Sequence, residues 1–316
     1  MPITINTNAT AASASMHLSK NSEALRKSLT RLSSGSRIVQ PVDDAGGLAV
    51  SMKLESAITR LSGAQTNIQN AISFLEVQDG VMEASGKIVN RMIELKGLSQ
   101  DVLKNSSDIE NYNREFKDLQ VQLKDMTSVK FNGVSLFAQY TDSSSGSVQE
   151  GVFDNISRDN TLSIFVSAEG SQGPKVSIAK SMLLSALTID AGTMKSSVFS
   201  VGTTGGTSGN VITFAADSFS AAINLSDVSV AVFTQALENI ATLRADNGAS
   251  MSRLRFASDN IATTKTNMEA ANGRIVDVDI ASESTRMAKY NVLVQASASM
   301  LAQANTQSDI ALMLIR

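Results

Sequence analysis

The 316-residue sequence has no cysteine and no tryptophan, a single histidine and three prolines. Without thiols there can be no disulfide, no thiolate nucleophile and no cysteine-held metal or iron-sulfur site. The lone His17 cannot build an ordinary protein-only zinc site and reads as a packing or surface residue. A chain without thiols also passes from reducing to oxidising surroundings unchanged. Aromatic residues make up only 4% of the chain, so its 42% apolar content rests mostly on Ala, Val, Ile, Leu and Met, which favours long helices over a bulky core. There is no Lys/Arg cluster and the net charge is -3, so the concentrated positive charge that nucleic acid requires is missing. No run of about eighteen apolar residues occurs, and no membrane insertion is expected. The first fifteen residues have neither a basic nor an apolar region, so no cleavable secretory signal is expected.

What is present falls into three zones. In the first, to about Leu136, apolar residues alternate at spacings of three and four, the period of a helical seam. Leu18, Ser22, Leu25, Leu29 and Leu32 form one run, ended by the breaker Ser33-Ser34-Gly35-Ser36. After Pro41, the Asp43-Asp44 pair offers an N-cap for a second helix over residues 48 to 99, on the order of 75 Å long. Its expected seam is Leu54, Ile58, Leu61, Gln65, Ile68, Ile72, Leu75, Asp79, Met82, Gly86, Val89 and Ile93. Ile109, Tyr112, Phe116, Leu119, Leu123 and Met126 predict a third helix, with a Phe131-Asn132-Gly133 turn and a short strand over 134 to 137 beyond it.

From about Tyr140 to Val232 the composition shifts to Ser, Gly and Thr and the helical period disappears. Alternating segments at 162–166, 198–201 and 211–214 predict strands, and Gly202 to Gly209 predicts a hairpin connection. The last zone returns to helix. Leu237, Ile240, Met251, Leu254, Ile261 and Met268 share a seam that Asn272-Gly273 is expected to interrupt. Tyr290, Val294, Leu301, Ala304, Ala311 and Ile315 form a final seam among small residues. The expected fold is therefore mainly α: long antiparallel helices and a terminal coiled coil forming a rod, with a β-rich Ser/Gly/Thr middle domain inserted between the helical ends. Helices so far apart in sequence must find partners, first each other and then neighbouring subunits that cover leftover apolar faces.

Two sets of motifs carry a family resemblance. Leu29-Thr30-Arg31-Leu32-Ser33-Ser34-Gly35, Arg37-Ile38 and Asp43-Asp44-Ala45-Gly46-Gly47-Leu48-Ala49 resemble the N-terminal signature of bacterial flagellin. Ala270-Ala271-Asn272-Gly273-Arg274-Ile275, Asp277, Asp279, Ala281-Ser282-Glu283, Gln295-Ala296 and Met300 to Asn305 resemble its C-terminal end, and the Phe131-Asn132-Gly133 turn also matches. The resemblance covers about residues 1 to 139 and 233 to 316.

The resemblance implies an extracellular filament protein of the bacterial flagellum, exported unfolded by the flagellar type III apparatus, with no cofactor. Its implied partners are copies of itself, an export chaperone, a cap protein and hook-filament junction proteins. Residues 1–42 and 280–316 correspond to inner-tube terminal helices, 43–139 and 233–279 to an outer-tube helical core, and 140–232 to a variable surface domain. Polymer packing through the termini would use Leu18, Leu25, Leu29, Leu32, Tyr290, Val294, Leu301, Ala304 and Ile315. The stretch Asn90 to Leu95 resembles the segment sensed by the host innate toll-like receptor for flagellin, with Arg91, Leu95 and Glu115 at contact positions. Because a thirty-residue amphipathic helix is marginal alone in water, the ends are expected to be disordered in the monomer and to order on assembly.

Plainer readings stand beside these. A monomeric helical bundle would show the same seams. Asp43-Asp44, like Asp277 and Asp279, reads as capping or turn chemistry rather than acid/base catalysis. GTTGGTSG lacks the Lys of a phosphate loop. Arg91 with Glu94 could be an ordinary surface pair, and the Ser/Thr-rich middle could be a plain solvated loop region or accept O-linked glycans. Ser308-Asp309 stands where flagellins often have Pro-Gln. A hook-filament junction protein and a secreted helical-stalk adhesin remain the alternatives. A peptidase middle domain is excluded, since it needs a His-Glu-x-x-His motif and residues 140 to 232 contain no His.

Overall fold

The computed structural model describes residues 8–138, 140–141, 148–149, 161–190, 195–196 and 211–315. The fold is mainly helical. Helices α1 (Ala9–Ser34), α2 (Ala45–Ser99) and α3 (Ser106–Thr127) come first. Strands β1 (Lys130–Phe131), β2 (Val134–Ser135), β3 (Tyr140–Thr141), β4 (Val148–Gln149), β5 (Thr161–Phe165) and β6 (Lys175–Ala179) follow. A four-residue helix α4 (Leu183–Ala186) precedes β7 (Thr188–Asp190), β8 (Lys195–Ser196) and β9 (Val211–Thr213). The chain ends with α5 (Val230–Val276) and α6 (Ile280–Ile315).

Local chemistry sets these boundaries. The Asn8 side chain caps α1 by accepting from the Ala11 N–H, and Gly35, at φ +70°, ends it in the left-handed conformation that an L residue resists. Asp44 Oδ1 accepts from the Gly47 N–H at 2.8 Å, so the expected cap of α2 is present. Asn105 and Asp108 form a reciprocal capping box on α3. The turn between β1 and β2 has positive φ at Asn132 and Gly133, the two-residue hairpin geometry expected of Asn-Gly.

Two differences from the sequence reading stand out. Asn272-Gly273 does not interrupt α5, which runs on to Val276; an internal glycine weakens a helix by about 1 kcal/mol without breaking it. A Cβ at Gly273 would lie 2.8 Å from Asp277 Oδ2, so the glycine leaves room for that carboxylate. The middle zone shows only strands of two to five residues among the described residues, in antiparallel pairs β3-β4 and β5-β6 and a three-stranded sheet in the order β8-β7-β9, while the β1-β2 pair precedes it. Strands expected at 162–166 and 211–214 appear as β5 and β9, whereas 198–201 and the 202–209 connection lie outside the described residues.

The chain divides into two compact units, Met1–Thr59 with Thr264–Arg316, and Arg60–Thr263. In the second unit, α2 turns inward a row of Leu61, Ala64, Ile68, Ala71, Leu75, Gln78, Met82, Ser85, Val89 and Met92 at alternating spacings of three and four, with Phe74, Leu95 and Lys96 also buried. The apolar row of 61, 68, 75, 82 and 89 is the expected one. The companion row is shifted by one residue, so Gln65, Ile72, Asp79, Gly86 and Ile93 give way to Ala64, Ala71, Gln78, Ser85 and Met92. Helix α5 runs antiparallel to α2, with Asn247 Nδ2 donating to the Leu75 carbonyl at 2.8 Å and Arg244 Nε to Asp79 Oδ1 at 2.9 Å. Phe233 of α5 lies edge-on to Phe116 of α3 and stacks on Phe214 just after β9.

Buried amides and one ammonium tie loops to this bundle. Gln120 donates to the Ile223 carbonyl at 2.9 Å and accepts the Ile223 N–H at 3.2 Å, Gln78 donates to the Leu136 carbonyl at 2.6 Å, and Lys96 Nζ donates to the Leu225 carbonyl at 2.7 Å. Each satisfies a backbone group that would otherwise be buried unpaired.

Candidate assembly surfaces

In the first unit, α1 packs antiparallel on α6. The residues that α1 turns inward are Ala11, Ala14, Leu18, Asn21, Leu25, Ser28 and Leu32; those of α6 are Glu283, Met287, Tyr290, Val294, Ser297, Leu301 and Ala304. Both rows alternate at three and four. Small side chains at 11, 14, 28, 297 and 304 allow close approach. Asn21 Nδ2 donates to Ser297 Oγ at 2.9 Å, and Asn8 Nδ2 to the Ala304 carbonyl at 2.8 Å.

Of the residues expected to pack here, Leu18, Leu25, Leu32, Tyr290, Val294, Leu301 and Ala304 are half-buried in the subunit. Leu29 is not in the seam: it is 48% exposed, and Ser28 takes its place. Ile315 ends α6, and its side chain lies outside the described residues. Met16, Val292, Leu293 and Met300 add further exposed apolar surface to the pair, and a groove of about 830 Å³ runs between the helices past Ala14, His17, Leu293 and Met300. Two helices cannot bury such surface by themselves.

The sequence reading missed a clamp at the base of this pair. The N–H of Arg37 donates to the Val276 carbonyl, and the N–H of Val278 donates to that of Gly35 at 3.0 Å. The Arg37 guanidinium donates to the Ile275 carbonyl through Nε at 3.1 Å and Nη2 at 2.7 Å. The motifs around Gly35 and Ile275 are therefore two halves of one contact. Beside it, the Lys27 ammonium bonds Asp43 and, against some opposing burial and with the N–H groups of Gln40 and Val39, holds that carboxyl at about 2. A Cβ on Gly47 would run into the Asp44 carboxylate and lie 3.0 Å from Ile38 Cδ1, so the cap needs this glycine. Asp279 Oδ1 accepts the N–H groups of Ala281 and Ser282 and so starts α6.

In the second unit, Arg91 of α2 is bonded to Glu115 of α3 through Nε and to Glu94 through Nη1, both at 2.7 Å. Glu115 first and Glu94 second raise the guanidinium pKa above its ordinary value. All three side chains are partly exposed. Leu95, expected beside them as a surface contact, is fully buried, because its position on α2 turns it inward with Met92. The exposed patch is Arg91, Glu94 and Glu115 without it. Among the described residues, no group of three or more acidic or histidine side chains could hold a metal, and no helix is long and apolar enough to cross a membrane.

Comparison with known proteins matches residues 5–142 to the bacterial flagellin N-terminal helical region and residues 230–315 to the bacterial flagellin C-terminal helical region. The chain belongs to the flagellin family. Its flagellin relatives include the flagellar filament 30.7 kDa core protein of Treponema maltophilum, 30% identical over 98% of this chain and 99% of that protein. The flagellin of Bacillus subtilis (strain 168) is 29% identical over 99% of both chains. Each of the two matched regions contains one half of the Gly35–Ile275 clamp. Flagellins are structural proteins rather than enzymes.

Proposed function

We propose that this chain is the subunit of an extracellular flagellar filament that serves swimming motility, and that α1 and α6 are its chief assembly element. The observation that carries this reading is the terminal pair itself: a regular seam closed by half-buried residues, with Leu29, Met16, Val292 and Met300 left facing solvent. Apolar surface of that extent on so slender a pair calls for neighbouring copies. The full-length likeness to flagellar filament core proteins supports the same assignment.

In the finer form of the proposal, residues 1–42 and 280–316 line an inner tube, 43–139 and 233–279 form an outer tube, and 140–232 face solvent as a β-rich variable region. The chain is exported unfolded through the flagellar type III apparatus, meeting an export chaperone, a cap protein and hook-filament junction proteins on the way. Its lack of cysteine suits transit between compartments of different redox poise.

Protein dissociated by acid or heat and returned to neutral buffer with short filament seeds should elongate into long uniform filaments by negative stain. A variant lacking about the last thirty residues should give none. A stable, monodisperse product from both would sink the polymer reading in favour of a junction protein or stalk adhesin.

The Arg91–Glu94–Glu115 patch supports a second role for the same chain as a ligand of the host innate receptor. Arg91→Ala should lower the response of receptor-bearing reporter cells at least tenfold, and an unchanged response would end the assignment. With Leu95 buried, the patch offers charge and hydrogen-bond donors rather than an aliphatic anchor.

A further inference from the structure

The chain contains three Asn-Gly pairs, Asn132-Gly133, Asn247-Gly248 and Asn272-Gly273, and the fold treats them differently. In such a pair the asparagine side chain is open to attack by the backbone nitrogen of the next residue, because glycine has no Cβ to obstruct the approach. Two of the three are closed off. Asn247 is 4% exposed, its Nδ2 donates to the Leu75 carbonyl at 2.8 Å, and it lies with Gly248 inside α5. Asn272 and Gly273 are half-buried in the same helix. There each glycine N–H is committed to the carbonyl four residues back, and the nitrogen cannot swing toward its neighbour's side chain without local unfolding.

Asn132 and Gly133 stand apart. They are the whole loop between β1 and β2, both are exposed, and both have positive φ, 49° and 80°. In a two-residue loop the cross-strand bonds belong to the flanking residues, here Phe131 and Val134, so the central N–H groups lie outside the ladder. Among the described residues, neither the Gly133 N–H nor the Asn132 side chain has a hydrogen-bond partner. Nothing lies within 4 Å of the space that a Cβ on Gly133 would occupy. The turn must open for its nitrogen to reach the side chain, and a surface loop opens far more readily than the middle of α5.

We propose that Asn132 is a site of spontaneous deamidation, at which the folded chain ages chemically. The Gly133 nitrogen gives up its proton to solvent and bonds to Asn132 Cγ; the Cγ–Nδ2 bond breaks and ammonia leaves, closing a succinimide ring. One water then opens the ring. Breaking the bond from the nitrogen to Cγ gives aspartate, whereas breaking its bond to the Asn132 backbone carbonyl carbon gives isoaspartate, with the chain routed through the side chain. The step needs no oxidant, metal or partner and is independent of assembly. Aspartate tolerates the left-handed conformation and keeps the turn. Isoaspartate adds a backbone carbon, which a two-residue loop cannot hold without shifting Phe131 against Val134. Since Phe131 lies edge-on to Phe74 of α2 at 6.1 Å, that shift loosens the hairpin from the helix.

Folded protein and protein unfolded in guanidinium chloride are held in parallel at mildly alkaline pH, and conversion of each Asn-Gly pair is followed by peptide mass spectrometry. In the folded protein Asn132 should convert at least tenfold faster than Asn247 and Asn272, and in denaturant that lead should vanish. Conversion of Asn132 no faster than either helical pair in the folded protein would overturn the proposal. So would an equal lead in denaturant, which would assign it to neighbouring sequence rather than to the turn. Hydrogen exchange is then read on the modified fraction, separated by its added negative charge. Exchange across 130–136 should be faster than in fresh protein, and an unchanged rate would overturn the loosening of the hairpin.

Discussion

Phe233→Ala is expected to destabilise the 60–263 unit by about 3–5 kcal/mol, the usual cost of truncating a fully enclosed phenylalanine. Phe233 has no solvent exposure, and it joins three segments distant in sequence. Its ring lies 5.9 Å from that of Phe116 at a steep angle and 4.7 Å from that of Phe214, nearly parallel. Removing the ring therefore opens a cavity where α3, α5 and the segment after β9 converge, and two aromatic contacts of about 0.5–1.5 kcal/mol each are lost with it. Phe256→Ala is the matched control on the same helix: that ring is 73% exposed, and its loss should shift stability by no more than about 0.5 kcal/mol. Denaturant titration followed by circular dichroism reads both. Equal midpoints for the two variants would show that the aromatic cluster is not the centre of this core.

The helices were legible because their strongest signal, a leucine-type residue every seven positions, needs no knowledge of partners. Leu18, Leu25 and Leu32, and again Leu61, Ile68, Leu75, Met82 and Val89, lie where the periodicity put them. The companion rows were misplaced for one physical reason. In α1 the true row holds Asn21 and Ser28; in α2 it holds Ala64, Ala71, Gln78 and Ser85; in α3 Gln120 and Thr127 are buried instead of Leu119 and Met126. At Leu29, Ile72, Leu119 and Met126 the pattern follows the larger apolar neighbour, and the regular spacing carries Ser22, Gln65, Asp79 and Gly86 with it, whereas the fold uses small or amide side chains so that helices approach closely or hold a loop carbonyl. The carbonyls of Leu136, Ile223 and Leu75, to which Gln78, Gln120 and Asn247 donate, come from elements that one-dimensional spacing cannot place.

The candidate surfaces divide in the same way. Capping by Asp44 and Asp279, the Asn132-Gly133 turn and the end of α1 at Gly35 were readable, because each depends on a few consecutive residues. The clamp between Gly35–Arg37 and Ile275–Val278 was not, although both motifs had been noticed, since nothing local says that they touch. Leu95 shows the reverse error: matching a motif aligned the residue, but only the helix phase in three dimensions shows that it points inward.

Backbone amides of α1 and α6 should exchange with solvent at least about a thousandfold faster than those of α2 between Leu61 and Met92 in the unassembled protein, and should slow to comparable rates in filaments. The distribution of buried side chains argues for this. Among the described residues, Ile38, at 8% exposure, is the single buried apolar side chain in the Met1–Thr59 and Thr264–Arg316 unit; the rest of the apolar core lies in the other unit. The terminal seam is closed by half-buried leucines beside Asn21, Ser28, Ser297 and Ala304, so little apolar surface opposes the entropy of ordering two helices of 26 and 36 residues. Assembly changes the balance by covering Met16, Leu29, Val292 and Met300 with neighbouring copies, at which point ordering and packing are gained together. Hydrogen exchange read by mass spectrometry on monomer and filament separates the two regimes peptide by peptide. Terminal peptides as protected in the monomer as those of α2 would mean that the pair is already stable before addition, and that growth at the tip depends on docking preformed helices rather than on folding them there.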